Sequence, residues 1–122
     1  MGNVQLQMFH YSQAVKIGNR VETSGQGGWD DDWHFPETLV DEITQAFRNV
    51  ERTLATAGAS WEHVIAVNSY HVGFPEDVNQ IMTERFRHHM PDHAPIWTAL
   101  EVAALGDPKM RVEIRVTALL PE

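Results

Sequence analysis

Two periodicities organise the chain. In its last stretch the even positions Val112, Ile114, Val116, Ala118 and Leu120 are apolar, while Arg111, Glu113, Arg115 and Thr117 take the other side. This alternation predicts a strand over Met110–Leu119 with one face buried and one polar. In the first half, Leu39, Ile43, Ala46, Phe47, Val50, Leu54 and Ala57 recur at helical spacing. They predict an amphipathic helix over Thr38–Ala57. Glu37, Asp41 and Glu42 lie where the helix dipole favours anions, and Gly58 supplies a stop.

Shorter patterns fill the rest. Tyr11–Ile17 and Arg20–Thr23 read as two strands joined at Gly18-Asn19, residues that tolerate positive φ in a hairpin. Val64–Val72, rich in β-branched and aromatic residues, is a third strand. Pro75 suits the first turn of a second helix, whose buried face is Val78, Ile81, Met82, Phe86 and Met90 and which Pro91 ends. Ile96–Leu105 is a further strand. The order is ββαβαββ, which predicts a mixed sheet with two helices packed on one face.

Composition narrows the classes open to such a domain. At 122 residues it is one domain, 1–122, with a single core. Nine Lys+Arg against 17 Asp+Glu, a net charge of −8, exclude the clustered cations that nucleic acid or an anionic membrane surface requires. The chain has no cysteine, so disulfides, thiolate nucleophiles and Cys-based metal sites are excluded, and a cytoplasmic setting is expected. Met1–Gln7 lacks the basic and apolar regions of a secretion signal, and no run approaches the roughly 20 apolar residues of a membrane span.

Generic catalytic motifs are missing. Ser24-Gly25-Gln26-Gly27-Gly28 is either a tight turn or a loop whose exposed N–H groups beside Ser24 grip a carboxylate or water. Asp30-Asp31-Asp32 with His34 is a solvated loop or a hard-cation site, but it lacks calcium-loop spacing. His88, His89, Asp92 and His93 form the densest imidazole cluster; Pro91 breaks their register, so a charged helix end is the expectation and no metal site is assigned. Trp97 and Glu101 share one face of their strand, and Glu101 needs a partner if buried.

The succession Tyr11-Ser12-Gln13-Ala14-Val15, Gly18-Asn19 and Thr23-Ser24-Gly25-Gln26 resembles the N-terminal half of the RidA/YjgF family, also called Rid or L-PSP. The likeness continues through Gln45-Ala46-Phe47-Arg48-Asn49-Val50, Ala57-Gly58, Val67-Asn68-Ser69-Tyr70, Glu101-Val102-Ala103-Ala104-Leu105 and Val112-Glu113-Ile114. The resemblance implies a chorismate-mutase-like α/β fold and a homotrimer with small-molecule pockets between subunits. It also implies cofactor-free hydrolysis of imines and enamines such as 2-iminopropionate.

Carried over by position, Tyr11 matches a pocket tyrosine, Ser24 and Gly25 a pocket Ser-Gly pair, Asn79 an asparagine near the pocket, and Ala99 a position that is cysteine in some relatives. Two positions depart. Trp97 stands where active members carry a carboxylate-clamping arginine, and Arg115 where they carry a water-positioning glutamate. Tryptophan offers one neutral N–H, and arginine stays protonated, so neither replaces the residue it displaces.

The expected function is therefore that of a divergent hydrolase for a small, more aromatic imine, enamine or carbonyl metabolite. Arg115 would hold an anionic group, Trp97 with Trp29 or Trp33 would form a flat wall, and Ser24 would hold the water. The alternative for Arg115 is a carboxylate partner across a subunit interface. The alternative for the whole chain is a non-catalytic trimeric module that binds a small molecule or a partner. An endoribonuclease is the least favoured, because the charge repels RNA.

Overall fold

The structure, a computed structural model, describes residues 11–122; Met1–Gln7, read above as no secretion signal, lies outside them. Strands β1 (Ala14–Ile17) and β2 (Arg20–Thr23) form the hairpin, with Gly18 at φ +60° in its turn. Helix α1 (Leu39–Ala55), a single 3₁₀ turn (Trp61–His63), β3 (Val64–Val72), α2 (Val78–His89), β4 (Ile96–Val102) and β5 (Val112–Leu119) follow. The five strands lie in the order β1-β2-β5-β3-β4, with only β3 and β4 parallel. That parallel pair is bridged by α2, as a crossover requires.

The alternation of β5 is realised residue by residue. Val112, Ile114, Val116 and Ala118 are buried in one cluster with Ile43, Phe47, Val50 and Leu54 of α1 and Ile81 and Met82 of α2. Both helices therefore cover the same face of the sheet. The opposite face carries Glu22, Glu113, Arg115 and Thr117, together with the exposed Val15, Ile17, Ile96, Leu100 and Leu119.

Several ends are tighter than the pattern suggests, each for a local reason. Thr38 caps α1 from outside, its hydroxyl accepting from the Asp41 N–H at 3.2 Å. Pro75 opens a turn, with Val78 N–H on its carbonyl, and the helix proper begins after Asp77. β4 stops at Val102 and β5 starts at Val112 because Asp107 closes a turn on the N–H groups of Lys109 and Met110.

One buried charge ties these pieces together. Glu42 of α1 is fully buried. It accepts the backbone N–H and the Nε–H of Arg111, each at 2.7 Å, and Arg111 donates further to the carbonyls of Pro36 and Glu37, each at 3.1 Å. Gly28 packs against the Glu42 main chain so closely that a β-carbon there would overlap it. A buried carboxylate stripped of its cation is costly, about 3 kcal/mol or more. Replacing Arg111 by Met is therefore expected to lower the unfolding free energy by about 3 kcal/mol in urea denaturation.

Candidate functional site

The site grows from a misfit between β2 and β5. Glu22 pairs with Thr117, but Gln26 bridges to Ile114, so the β2 side holds one residue more than the β5 side. This is a bulge, a device that turns side chains out of register. The extra length falls at Ser24-Gly25. Ser24 N–H bonds to the Gln13 carbonyl at 2.8 Å, and Arg115 Nε donates to the Thr23 carbonyl at 3.1 Å.

Gly25 then lies directly against Glu113. A β-carbon on Gly25 would overlap the Glu113 side chain where it now lies, so a larger residue there would displace the carboxyl. Glu113 is partly buried, and among the described residues no cation lies within salt-bridge distance. Burial accordingly raises its pKa above the usual glutamate value. Tyr11, 39% exposed, stands in the same field: burial first, and then the charge of Glu113, raise its phenol pKa. Tyr11, Gly25 and Glu113 thus gather on the helix-free face of the sheet.

Arg115, two residues along the same face, has a partner within its own chain. Its Nη2 lies 3.5 Å from Glu22 Oε1. Burial acts to raise the Glu22 pKa, but hydrogen bonds from Thr117 and Arg20 and the charges of Arg20 and Arg115 outweigh it, so Glu22 is held below the usual range. Ser24 is engaged as well. Its hydroxyl donates toward Gln13, to the carbonyl at 3.3 Å and to Oε1 at 3.4 Å, and Gln26 Nε2 approaches it at 3.4 Å.

Trp97 faces the other way. It pairs with Val67, whereas Arg115 pairs with Asn68, and neighbouring residues of a strand point to opposite faces. The Trp97 ring meets Phe86 edge-on at 5.1 Å, and its Nε1–H donates to Ser69 Oγ at 2.9 Å. Ser69 Oγ in turn lies 2.8 Å from Nε2 of the buried His71, whose Nδ1 has no partner among the described residues. Burial drops the His71 pKa to about 4, so the ring is neutral near pH 7. Ala99 pairs with Ser69 on this same face.

Residues 4–120 match the family described as Endoribonuclease L-PSP. The chain is 32% identical over 112 residues to the RutC family protein YjgH of Escherichia coli, covering 92% of this chain and 84% of that protein. It is 33% identical over 93 residues to a 2-iminobutanoate/2-iminopropanoate deaminase of Dermatophagoides farinae, covering 73% of each. The crystal structure of RidA from an Antarctic Psychrobacter superposes with a TM-score of 0.82 at 32% identity, over 93% of this chain and 90% of that one. This chain belongs to the RidA/YjgF (L-PSP) family.

Within this Rid-family chain, the other residues singled out from the sequence are scattered. Trp29 is buried, its carbonyl accepting from Asn49, and it stacks on the exposed Trp33 at 4.6 Å. Trp33 holds φ +62°, a left-handed conformation enforced by the Asp30–His34 turn, in which Asp30 Oδ1 accepts from the N–H groups of Asp32 and His34. Asp31 pairs with Arg52 at 2.7 Å. The acidic run is thus committed to loop structure. Asn79 lies exposed on the first turn of α2. Glu101 is exposed and needs no partner. His93 faces the Val64 carbonyl at 2.8 Å, and among the described residues no three metal-ligating side chains gather.

The alternation of the last stretch puts Glu113 on a polar strand face, and the family resemblance includes it in Val112-Glu113-Ile114, but neither pairs it with Gly25. The signal was present in the pair of Gly25 and a carboxylate on the last strand, but it takes the bulge to bring them together. Because the charge of Glu113 is one cause, after burial, of the raised Tyr11 pKa, Glu113→Gln is expected to lower the Tyr11 titration midpoint. Ultraviolet difference titration in a Tyr70→Phe background measures this directly.

Proposed function

We propose that this Rid-family chain is a cofactor-independent hydrolase of small imines or enamines, with Glu113 as its acid–base group. The observation that carries the reading is the Glu113 carboxyl, partly buried, without a cation among the described residues, against Gly25 and beside Tyr11. A raised carboxylate pKa brings a group toward the range useful for proton transfer. Relatives named as 2-iminobutanoate/2-iminopropanoate deaminases support the substrate class.

The chemistry needs one water. Glu113 takes a proton from the water as its oxygen adds to the C=N carbon of the protonated imine, which gives a neutral carbinolamine. Glu113 passes that proton to the nitrogen and, as a carboxylate again, accepts the hydroxyl proton while the C–N bond breaks, releasing ammonia and the carbonyl product; the proton then passes from Glu113 to the ammonia. Tyr11, protonated at neutral pH, donates a hydrogen bond to the developing oxygen or nitrogen charge. Arg115, whose hold on Glu22 is long, takes the anionic group of the substrate.

Trp97 and Arg115 lie on opposite faces of one sheet, so a pocket that uses both needs two copies of the chain. The apolar side chains left on the helix-free face, Val15, Ile17, Ile96, Leu100 and Leu119, fit the homotrimer that the family resemblance implies. The cysteine-free composition suits a cytoplasmic setting.

One observation favours a second reading, a non-catalytic binding module. The Ser24 hydroxyl, expected to hold the water, and the N–H of Trp97, expected as a wall of the pocket, are engaged with Gln13 and Ser69. An endoribonuclease is opposed by the net charge of −8.

The two main readings separate in one assay, in which 2-iminopropanoate and bulkier aryl imines are generated in situ and oxo-acid release is followed. The hydrolase accelerates release, and the rate climbs with pH through the raised Glu113 pKa, because the base form does the work. Glu113→Gln is expected to reduce it about a hundredfold or more, and Gly25→Ala to reduce it by displacing the Glu113 carboxyl. Full activity in Glu113→Gln removes Glu113 from the reaction. Uncatalysed rates on every imine, with thermal stabilisation by one of them, establish the binding module.

A further inference from the structure

The outer, helical side of the molecule carries a second constellation, remote in kind from the one on the sheet. Thr44, Arg48 and Glu51 follow one another at i, i+4 and i+7 on α1, and Arg85, His88 and His89 at i, i+3 and i+4 on α2. Such spacings put each trio on one helix face. The two faces line a groove of about 360 Å³.

The charge in this groove is out of balance with the rest of the chain. The protein carries nine Lys+Arg against 17 Asp+Glu. Arg20, Arg52, Arg111 and Arg115 each have a carboxylate within 4.0 Å. Among the described residues Arg48, Arg85 and Arg87 have none, although acidic side chains are abundant, and of these Arg48 and Arg85 line the groove. The groove's one carboxylate, Glu51, lies 3.8 Å from Nδ1 of His89.

His89 forms the wall between the polar groove and the core. Its ring stacks on Phe47 at 5.4 Å and leans on Trp61 at 5.4 Å, and only 11% of the side chain is exposed. Burial, followed by the charges of His88, Arg85 and Arg48, lowers its pKa to about 4. The two guanidinium charges therefore reach the same imidazole. Two cations facing one cavity repel each other when the cavity holds only water, and an anion between them relieves that repulsion. Guanidinium forks are matched to the oxygens of phosphate and carboxylate groups.

We infer that the α1–α2 groove is a binding site for an oxyanion, the phosphate or carboxylate group of a small metabolite, held between Arg48 and Arg85. Glu51 opposes the anion and limits affinity. The site is separate from the Glu113 cluster and does not depend on the proposed hydrolase activity.

Isothermal titration at low ionic strength, first with inorganic phosphate and then with succinate, tests it. The wild-type chain is expected to saturate with one of these anions, and which one does so distinguishes phosphate from carboxylate recognition. Arg48→Gln and Arg85→Gln should each weaken binding about tenfold or more, Glu51→Gln should tighten it, and Arg87→Gln, outside the groove, should leave it unchanged. Thermal melts establish that each variant is folded. Absence of saturable binding for both anions overturns the inference. So does an equal loss in Arg87→Gln, which would make the effect one of diffuse charge.

Discussion

The buried carboxylate of Glu42 is the constraint on which the rest of the molecule depends. It sits at 0% exposure inside α1, where a lone charge is untenable, and the main-chain and side-chain N–H groups of Arg111 compensate it. Arg111 immediately precedes β5. The pair therefore anchors the entry to β5, just after the Asp107 turn, against α1, and holds the alternation that follows in place. Gly28, packed on the same carboxylate-bearing residue, brings the glycine loop to the same point. A single ionic contact thus sets the helix, the last strand and the loop against one another.

From that alternation the two faces of β5 follow. Val112, Ile114, Val116 and Ala118 enter the core, and Glu113, Arg115 and Thr117 go to the open face. This much was legible in the sequence, because strand alternation and helical stripes are local patterns that burial enforces. Phe47, Val50 and Leu54 could be placed in the core from spacing alone. The strand ends could not, since they depend on turns such as that of Asp107, whose hydrogen bonds a hydropathy pattern does not record.

The candidate site was less legible, and the reason is pairing. The Ser24-Gly25 bulge exists only relative to β5, so the contact between Gly25 and Glu113 cannot be read from either segment by itself. The partnership of Arg115 with Glu22 spans the same pair of strands. The shared parity of Trp97 and Glu101 was correct, but the sequence did not show that this parity faces the helices while Arg115 faces away from them. The departures expected at Trp97 and Arg115 rest on the family resemblance alone. The carboxylate that stays in reach of Tyr11 and Gly25 became visible only in three dimensions.

The central claim is that Glu113, unpaired among the described residues, is a carboxylate held in a confined place by the bulge. An NMR titration of its side-chain carboxyl, assigned by its loss in Glu113→Gln, addresses that claim without reference to any substrate. The account predicts a midpoint above the ordinary glutamate value of 4.5, as burial without a cation requires. A midpoint at or below that value would show that a cation or hydrogen-bond donor stabilises the charge, and would contradict the account.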